Sequence, residues 1–324
     1  MDPRNIKQYT TEALQDASYN PKKLALLHTG VVVLFSLITA LLSHVLQLFA
    51  NTAGGLSGIA FRSAIESAQV VLSLAGTLVL PFWQVGFLYV ALRFSRKQSV
   101  GPHSLLEGFR RFGPVLRLNL LLLAVAMGVM MVCTYITNII FMFSPFSDNL
   151  QETLNTMLQA TGATTISEEM LLQLLPHAGW FFVIYGAVLI IVGLPMYYRY
   201  RMSEFALMNG APGALAAMRE STFLSFRRRM AMFKFDLSFW WYYLLQLLIS
   251  AVAYADVLLK AAGISLPVSD TVLYWVLFGL YAILTLLFAW KYSAFYQTAY
   301  ARYYELLREN PLHPPIPNTP PQSN

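Results

Sequence analysis

Charge is what this chain has least of: Asp, Glu, Lys and Arg make up 12% of its 324 residues, where a water-soluble domain carries about a quarter. With 57% hydrophobic residues and a mean hydropathy of +0.54, that scarcity excludes an ordinary water-soluble enzyme. It equally excludes disorder over most of the length, because so apolar a chain has ample surface to bury. Cysteine is nearly absent. Cys133 alone excludes an internal disulfide framework and a cysteine-rich zinc or iron–sulfur site. The five histidines contain no i, i+4 pair, so His28 and His44 read as interfacial or hydrogen-bonded side chains rather than metal ligands. Ser203 and Ser221 stand in no Gly-x-Ser-x-Gly elbow, and no Gly-Lys-Ser/Thr phosphate loop occurs. The expectation is a protein that is not an enzyme and uses no cofactor.

What the chain does have is apolar length. A bilayer core about 30 Å thick asks for roughly 20 mostly apolar residues at helical rise. Six charge-free stretches meet that length, at about 24–50, 67–92, 118–143, 178–198, 237–255 and 271–289. Lys22 and Lys23 precede the first as they would in a secretion signal, but the run is too long for one and reads as a retained helix. The expected fold is an all-α polytopic membrane protein. Residues 1–23 form a cytoplasmic segment, 24–309 the six-span membrane domain, and 310–324 a proline-rich, solvated tail expected to be disordered. The loop 144–177 is the longest on the outer side, with weakly amphipathic stretches at 150–159 and 167–175.

Cytoplasmic loops retain Lys and Arg during insertion. In the six-span reading all but Arg62 and Lys260 of the 22 basic residues fall on one side. Both termini are therefore expected in the cytoplasm. The net charge of +6 is a trans-membrane asymmetry and gives no support for nucleic-acid binding.

An internal repeat lies in the cytoplasmic links. Residues 109–120 read FRRFGPVLRLNL and residues 226–237 read FRRRMAMFKFDL; they align without a gap, Arg117 facing Lys234 and Asn119 facing Asp236. Each copy follows a span containing Leu-Pro, at Pro81 and at Pro195, and leads into an outward span. The reading is a parallel duplication of inward span, interfacial amphipathic helix, basic-aromatic entry and outward span, with residues 11–27 as a degenerate third copy. Leu105, Phe109 and Phe112 in one copy, and Leu215, Met218, Phe223 and Phe226 in the other, are expected to face lipid. Small residues such as Gly76, Gly128, Gly186 and Gly193 are expected at close helix contacts.

Residues 198–240 resemble the central signature of a bacterial integral-membrane family known as domain of unknown function 975. The likeness rests on Tyr198 and Tyr200, the Ala-rich stretch 214–221, Arg227 to Arg229, and Asp236, Leu237, Ser238 and Phe239. Residues 108–120 and 295–306 are similar to its Gly-Phe-basic-basic-Phe-Gly link and its closing helix. The chain departs from the pattern at Leu224, Ser225 and Phe226, at Trp240 and Trp241, and at 289–292, so it reads as a divergent member. The resemblance implies a six-helix membrane fold and no reaction.

No Asp, Glu, Lys or Arg falls in the middle of a span, where placing one costs at least a few kcal/mol. Asp236, near the cytoplasmic boundary, has two readings: an interfacial pair with Arg228, Arg229 or Lys234, or a group that handles ligand or protons. The basic-aromatic belt of Arg110, Arg111, Arg117, Arg227, Arg228, Arg229 and Lys234 with Trp240 and Trp241 also has two: anchoring, or a site for anionic lipid headgroups or a membrane-protein partner. The leading expectation is a noncatalytic scaffold or accessory component of the bacterial cytoplasmic membrane. The alternative is a transporter or exporter of an apolar or amphipathic solute, with Pro81, Gln84 and Pro195 along its path.

Overall fold

The computed structural model describes residues 2–52, 55–145, 179–256 and 269–310, together with positions 147, 148, 152, 155, 156 and 259. The stretches expected at 150–159 and 167–175 and the proline-rich tail lie outside the described residues, or nearly so. Among the described residues every regular element is helical.

Helix α1 (Pro3–Gln15) is capped by Asp2, whose side chain accepts the Arg4 N–H at 3.0 Å. The first long helix, α2 (Pro21–Thr52), begins the same way, with Asn20 accepting from Lys22 N–H at 3.0 Å ahead of a proline pre-set for the first turn. Helix α3 (Gly55–Ser95) runs through Pro81. A 3-10 turn (Pro102–Leu106) and the short α4 (Glu107–Arg110) lead into α5 (Phe112–Met142). Helix α6 (Gly179–Met208) contains a π-turn at Leu189–Gly193, ending two residues before Pro195. A wider turn there makes room for the proline ring and its missing N–H. Gly210, at φ +106°, closes α6 with the left-handed backbone that glycine adopts freely. Helices α7 (Ala214–Ser225), α8 (Arg229–Leu237) and α9 (Trp240–Ala253) follow. The last, α10 (Thr271–Glu309), passes through a second π-turn at Ala289–Ser293.

Five helices are long and apolar enough to cross a membrane: Pro21–Leu46, Gly76–Ser95, Phe112–Met142, Gly179–Met208 and Thr271–Glu309. The pair α8 and α9, bent by 66°, makes a sixth if it is one span. The sequence does not announce that bend. At Ser238 the backbone tightens, its N–H reaching Phe235 O at 3.0 Å and Phe239 N–H reaching Asp236 O at 2.8 Å, while the Ser238 hydroxyl donates to Phe235 O at 2.7 Å. The Ser238 carbonyl turns outward and accepts from Lys7 Nζ at 2.6 Å. A side chain inserted at a broken carbonyl ladder is a recognised cause of a kink. Lys7 also lies 4.3 Å above the Phe239 ring, and burial holds its ammonium below the ordinary lysine pKa.

In the aligned strings 109–120 and 226–237, Arg111 and Arg228 cap the following helices, which start at the equivalent Phe112 and Arg229. Beyond that point they differ: α5 continues unbroken, whereas α8 ends at Leu237. The amphipathic expectation needs correction. Phe109, Phe112, Leu215 and Phe226 are exposed, but Leu105 and Met218 are buried, and Phe223 packs half-buried against the core.

Close backbone packing also falls elsewhere than expected. Nothing lies within 4 Å of where a Cβ on Gly128 or Gly186 would stand. Gly76 does meet Phe35, and Gly193 meets its own helix at Leu189 and the α5 residue Val129. The tightest approach is between Gly86 and the Leu105 carbonyl and between Gly108 and the Phe82 carbonyl, where α3 lies directly against the 102–110 segment.

The main buried core sits at the basic end of the bundle. It is built from Phe82, Val85 and Leu88 of α3, Met202, Phe205 and Leu207 of α6, Met232 and Phe235 of α8, and Tyr296, Tyr300, Tyr303 and Tyr304 of α10, with Ile6 of α1. Toward the other end the outward side chains are apolar and exposed, among them Leu34, Ile38, Val70, Val71, Met131 and Ile283. Such surface suits acyl chains rather than water.

Candidate functional site

The chemically richest place is where α6, α8, α9 and α10 meet. The Asp236 carboxylate is buried and accepts three phenols: Tyr198 at 2.7 Å on Oδ2, and Tyr243 at 2.8 Å and Tyr300 at 2.5 Å on Oδ1. Arg201 stands 3.3 Å from Oδ1, donates to Tyr296 at 2.5 Å and to Tyr243 at 3.3 Å, and its guanidinium lies 3.9 Å from the centre of the Tyr300 ring. A carboxylate so supplied with donors, beside a stacked guanidinium, satisfies both desolvated charges. The partner expected for Asp236 among Arg228, Arg229 and Lys234 is therefore corrected to Arg201, because the inward face of α8 carries Asp236 while Lys234 is exposed.

The other belt residues divide. Arg111 donates to Leu207 O at 3.0 Å, and Arg228 donates to Leu307 O at 3.4 Å and to Asn310 O, so both tie elements together. Trp241 packs on Tyr292 at 4.8 Å between ring centres. Arg110, beside Glu107 at 3.3 Å, Arg117, Arg227 over the Phe226 ring, Lys234 and Trp240 remain exposed, with Arg229 partly so. The structure does not gather them into one pocket.

Two clefts lie beside this region, and the smaller reaches the buried node through Arg201, Tyr243, Tyr296 and Tyr300. The larger, about 1230 Å³, is lined by α2, α3 and α10 together with Asn119, Glu204 and Asp256. Its wall on α2 carries His28, Ser36, Thr39 and Ser43, and its wall on α3 carries Ser73, Thr77 and Gln84. The first series is spaced by 8, 3 and 4 residues and the second by 4 and 7, whole turns or near to them, which puts each on one helix face. His28 to Ser43 spans about 22 Å of helix at 1.5 Å per residue, most of a bilayer core. The smaller cleft, about 820 Å³, has apolar walls from Leu122, Val125 and Val129 of α5 and Leu189, Ile190 and Leu194 of α6, facing Gln246, Gln297, Tyr243 and Arg201. Gln84 and Glu204 line both clefts.

Of the path residues expected from sequence, Gln84 lies in both walls and Pro81 in the larger, whereas Pro195 lines neither. Sequence reasoning missed Arg201, Glu204 and the tyrosines of α10. The signal for the hydroxyl walls was present as the spacing of Ser36, Thr39 and Ser43 and of Ser73, Thr77 and Gln84. Among the described residues no three His, Cys, Asp or Glu side chains stand together as a metal site. No family model matches the chain, and no curated protein and no solved structure matches it.

Proposed function

We propose that this chain is a noncatalytic multi-pass protein of the bacterial cytoplasmic membrane that conducts an amphipathic solute. In this reading α8 and α9 form one span, making six, and both termini lie in the cytoplasm with the basic residues. The aligned strings belong to a parallel repeat flanked by interfacial helices. The motifs at 108–120, 198–240 and 295–306 make the chain a divergent member of the domain of unknown function 975 family.

The observation that carries the conducting role is the larger cleft, whose facing hydroxyl walls and Gln84 give a polar route along most of a span. Helices that only support a partner gain little from lining an open cleft with polar groups, since such groups ordinarily bond across a helix contact. The apolar wall of the smaller cleft fits the other half of an amphipath. Proteoliposomes loaded with dodecyltrimethylammonium, dodecylphosphocholine or dodecyl sulfate test it. At least one is expected to cross in a protein-dependent way, about tenfold more slowly after Gln84→Leu, the loss of roughly one hydrogen bond at the barrier. Protein-independent leakage of all three sinks the conducting role.

A second reading is favoured by the exposed Arg110, Arg117, Arg227, Lys234 and Trp240. Near an anionic leaflet each basic side chain contributes about 1 kcal/mol of attraction, which suits a scaffold held to anionic headgroups and to a membrane-protein partner. It predicts headgroup-dependent association without solute movement.

A further inference from the structure

Glu204 stands where the two clefts meet, and among the described residues its carboxylate has neither a hydrogen bond nor an ion pair within 4 Å. It is half-buried, and it lines both clefts. The charge that acts on it is Arg201, which is already held by Asp236 at 3.3 Å and by two tyrosine hydroxyls. Asp236 cancels Arg201, so no cation in the junction is left over to pair with Glu204. Asp256 joins Glu204 in the wall of the larger cleft, and among the described residues no Lys or Arg lines it. An enclosed carboxylate with no cation of its own is costly, and a cleft of one sign concentrates the opposite one.

We infer that the junction is a binding site for the head of a cationic amphipath, an ammonium carried on an apolar chain. The head sits against Glu204 with the Gln84 amide beside it, and the chain lies along the α5 and α6 wall of the smaller cleft. Tyr243 of α9, across the smaller cleft from that wall, adds an aromatic ring of the kind that attracts an ammonium. This assignment rests on the conducting role proposed above and adds the sign of the solute.

The test uses the full chain in nanodiscs of zwitterionic lipid, with empty nanodiscs subtracted, and the same three dodecyl probes below their micellar concentrations. Dodecyltrimethylammonium is expected to bind about tenfold more tightly than dodecyl sulfate or dodecylphosphocholine, with the preference lost in Glu204→Gln and partly kept in Glu204→Asp. Equal binding of the three heads overturns the assignment, as does a cation preference untouched by Glu204→Gln. Should Glu204→Gln fail to fold, carbodiimide modification of Glu204 in the native chain replaces it: protection by the ammonium probe alone supports the site, and equal or absent protection overturns it. The two claims separate cleanly. Cation-selective binding without flux supports the site and removes conduction; flux without head preference supports conduction and removes the site.

Discussion

Replacing Asp236 with Ala is expected to remove about 3–5 kcal/mol from the stability of the protein, the usual cost of stripping one partner from a buried pair. The pair is nearly closed to solvent, with 11% of the Arg201 side chain and 9% of the Asp236 side chain accessible. Without the carboxylate, Arg201 keeps its charge and its place on the Tyr300 ring but loses its counter-charge, and three phenols lose their acceptor at once. Removing both charges, as in Arg201→Met with Asp236→Asn, is expected to restore more than half of the loss, because the tyrosines can still hydrogen-bond the amide that replaces the carboxylate. Tyr300→Phe costs less, about 1–2 kcal/mol, since it removes one donor from a carboxylate that retains others. Unfolding in mixed micelles of SDS, followed by tryptophan fluorescence, measures all of them. An Asp236→Ala protein as stable as the native one shows that the node does not hold the helices together.

The second large effect is expected at two glycines. A methyl group on Gly86 would penetrate the Leu105 carbonyl, and one on Gly108 the Phe82 carbonyl; both obstacles are backbone. Neither can rotate aside as a side chain does, so Gly86→Ala or Gly108→Ala forces the 102–110 segment away from α3. Overpacking commonly costs about 1–3 kcal/mol and more where backbone must move, and here separation also uncovers Leu105 and Phe82, both buried. Gly128→Ala and Gly186→Ala provide the contrast: with nothing near the added carbon, the better helix former should leave stability unchanged or raise it by up to about 1 kcal/mol. The same micelle titration, with yield from membranes alongside, checks the contrast. Equal tolerance at all four positions rules out backbone contact as the feature that seats the segment.

Those glycines also mark the boundary of what the amino-acid order reveals. Charge-free runs locate the long helices because the cost of a charge in hydrocarbon acts residue by residue, without reference to neighbours. The register in which helices meet is a different matter. Gly128 and Gly186 have the same local signal as Gly86, and only the tertiary arrangement distinguishes an empty face from a touching one. Asp236 likewise lies close in sequence to three cations, yet its partner Arg201 belongs to another helix, selected by which face of α8 turns inward. Leu105 and Met218 fit the same amphipathic pattern as the exposed Phe109 and Leu215, yet protein covers them. The polar walls were legible in their spacing, but single hydroxyls in spans so often bond to their own helix, as Ser36 does to Val32 O and Thr77 to Ser73 O, that no one of them signals a cleft.

The node around Asp236 draws on α6, α8, α9 and α10, and Tyr296 and Tyr300 belong to the final helix. During synthesis, then, the acid and its arginine leave the ribosome well before two of the phenols that shield them. Until the last segment docks, that pair lacks the two phenols the final helix supplies. Interrupting translation ahead of that segment should therefore yield a polypeptide that inserts but is recognised by membrane proteases, giving the cell a checkpoint on completed assembly.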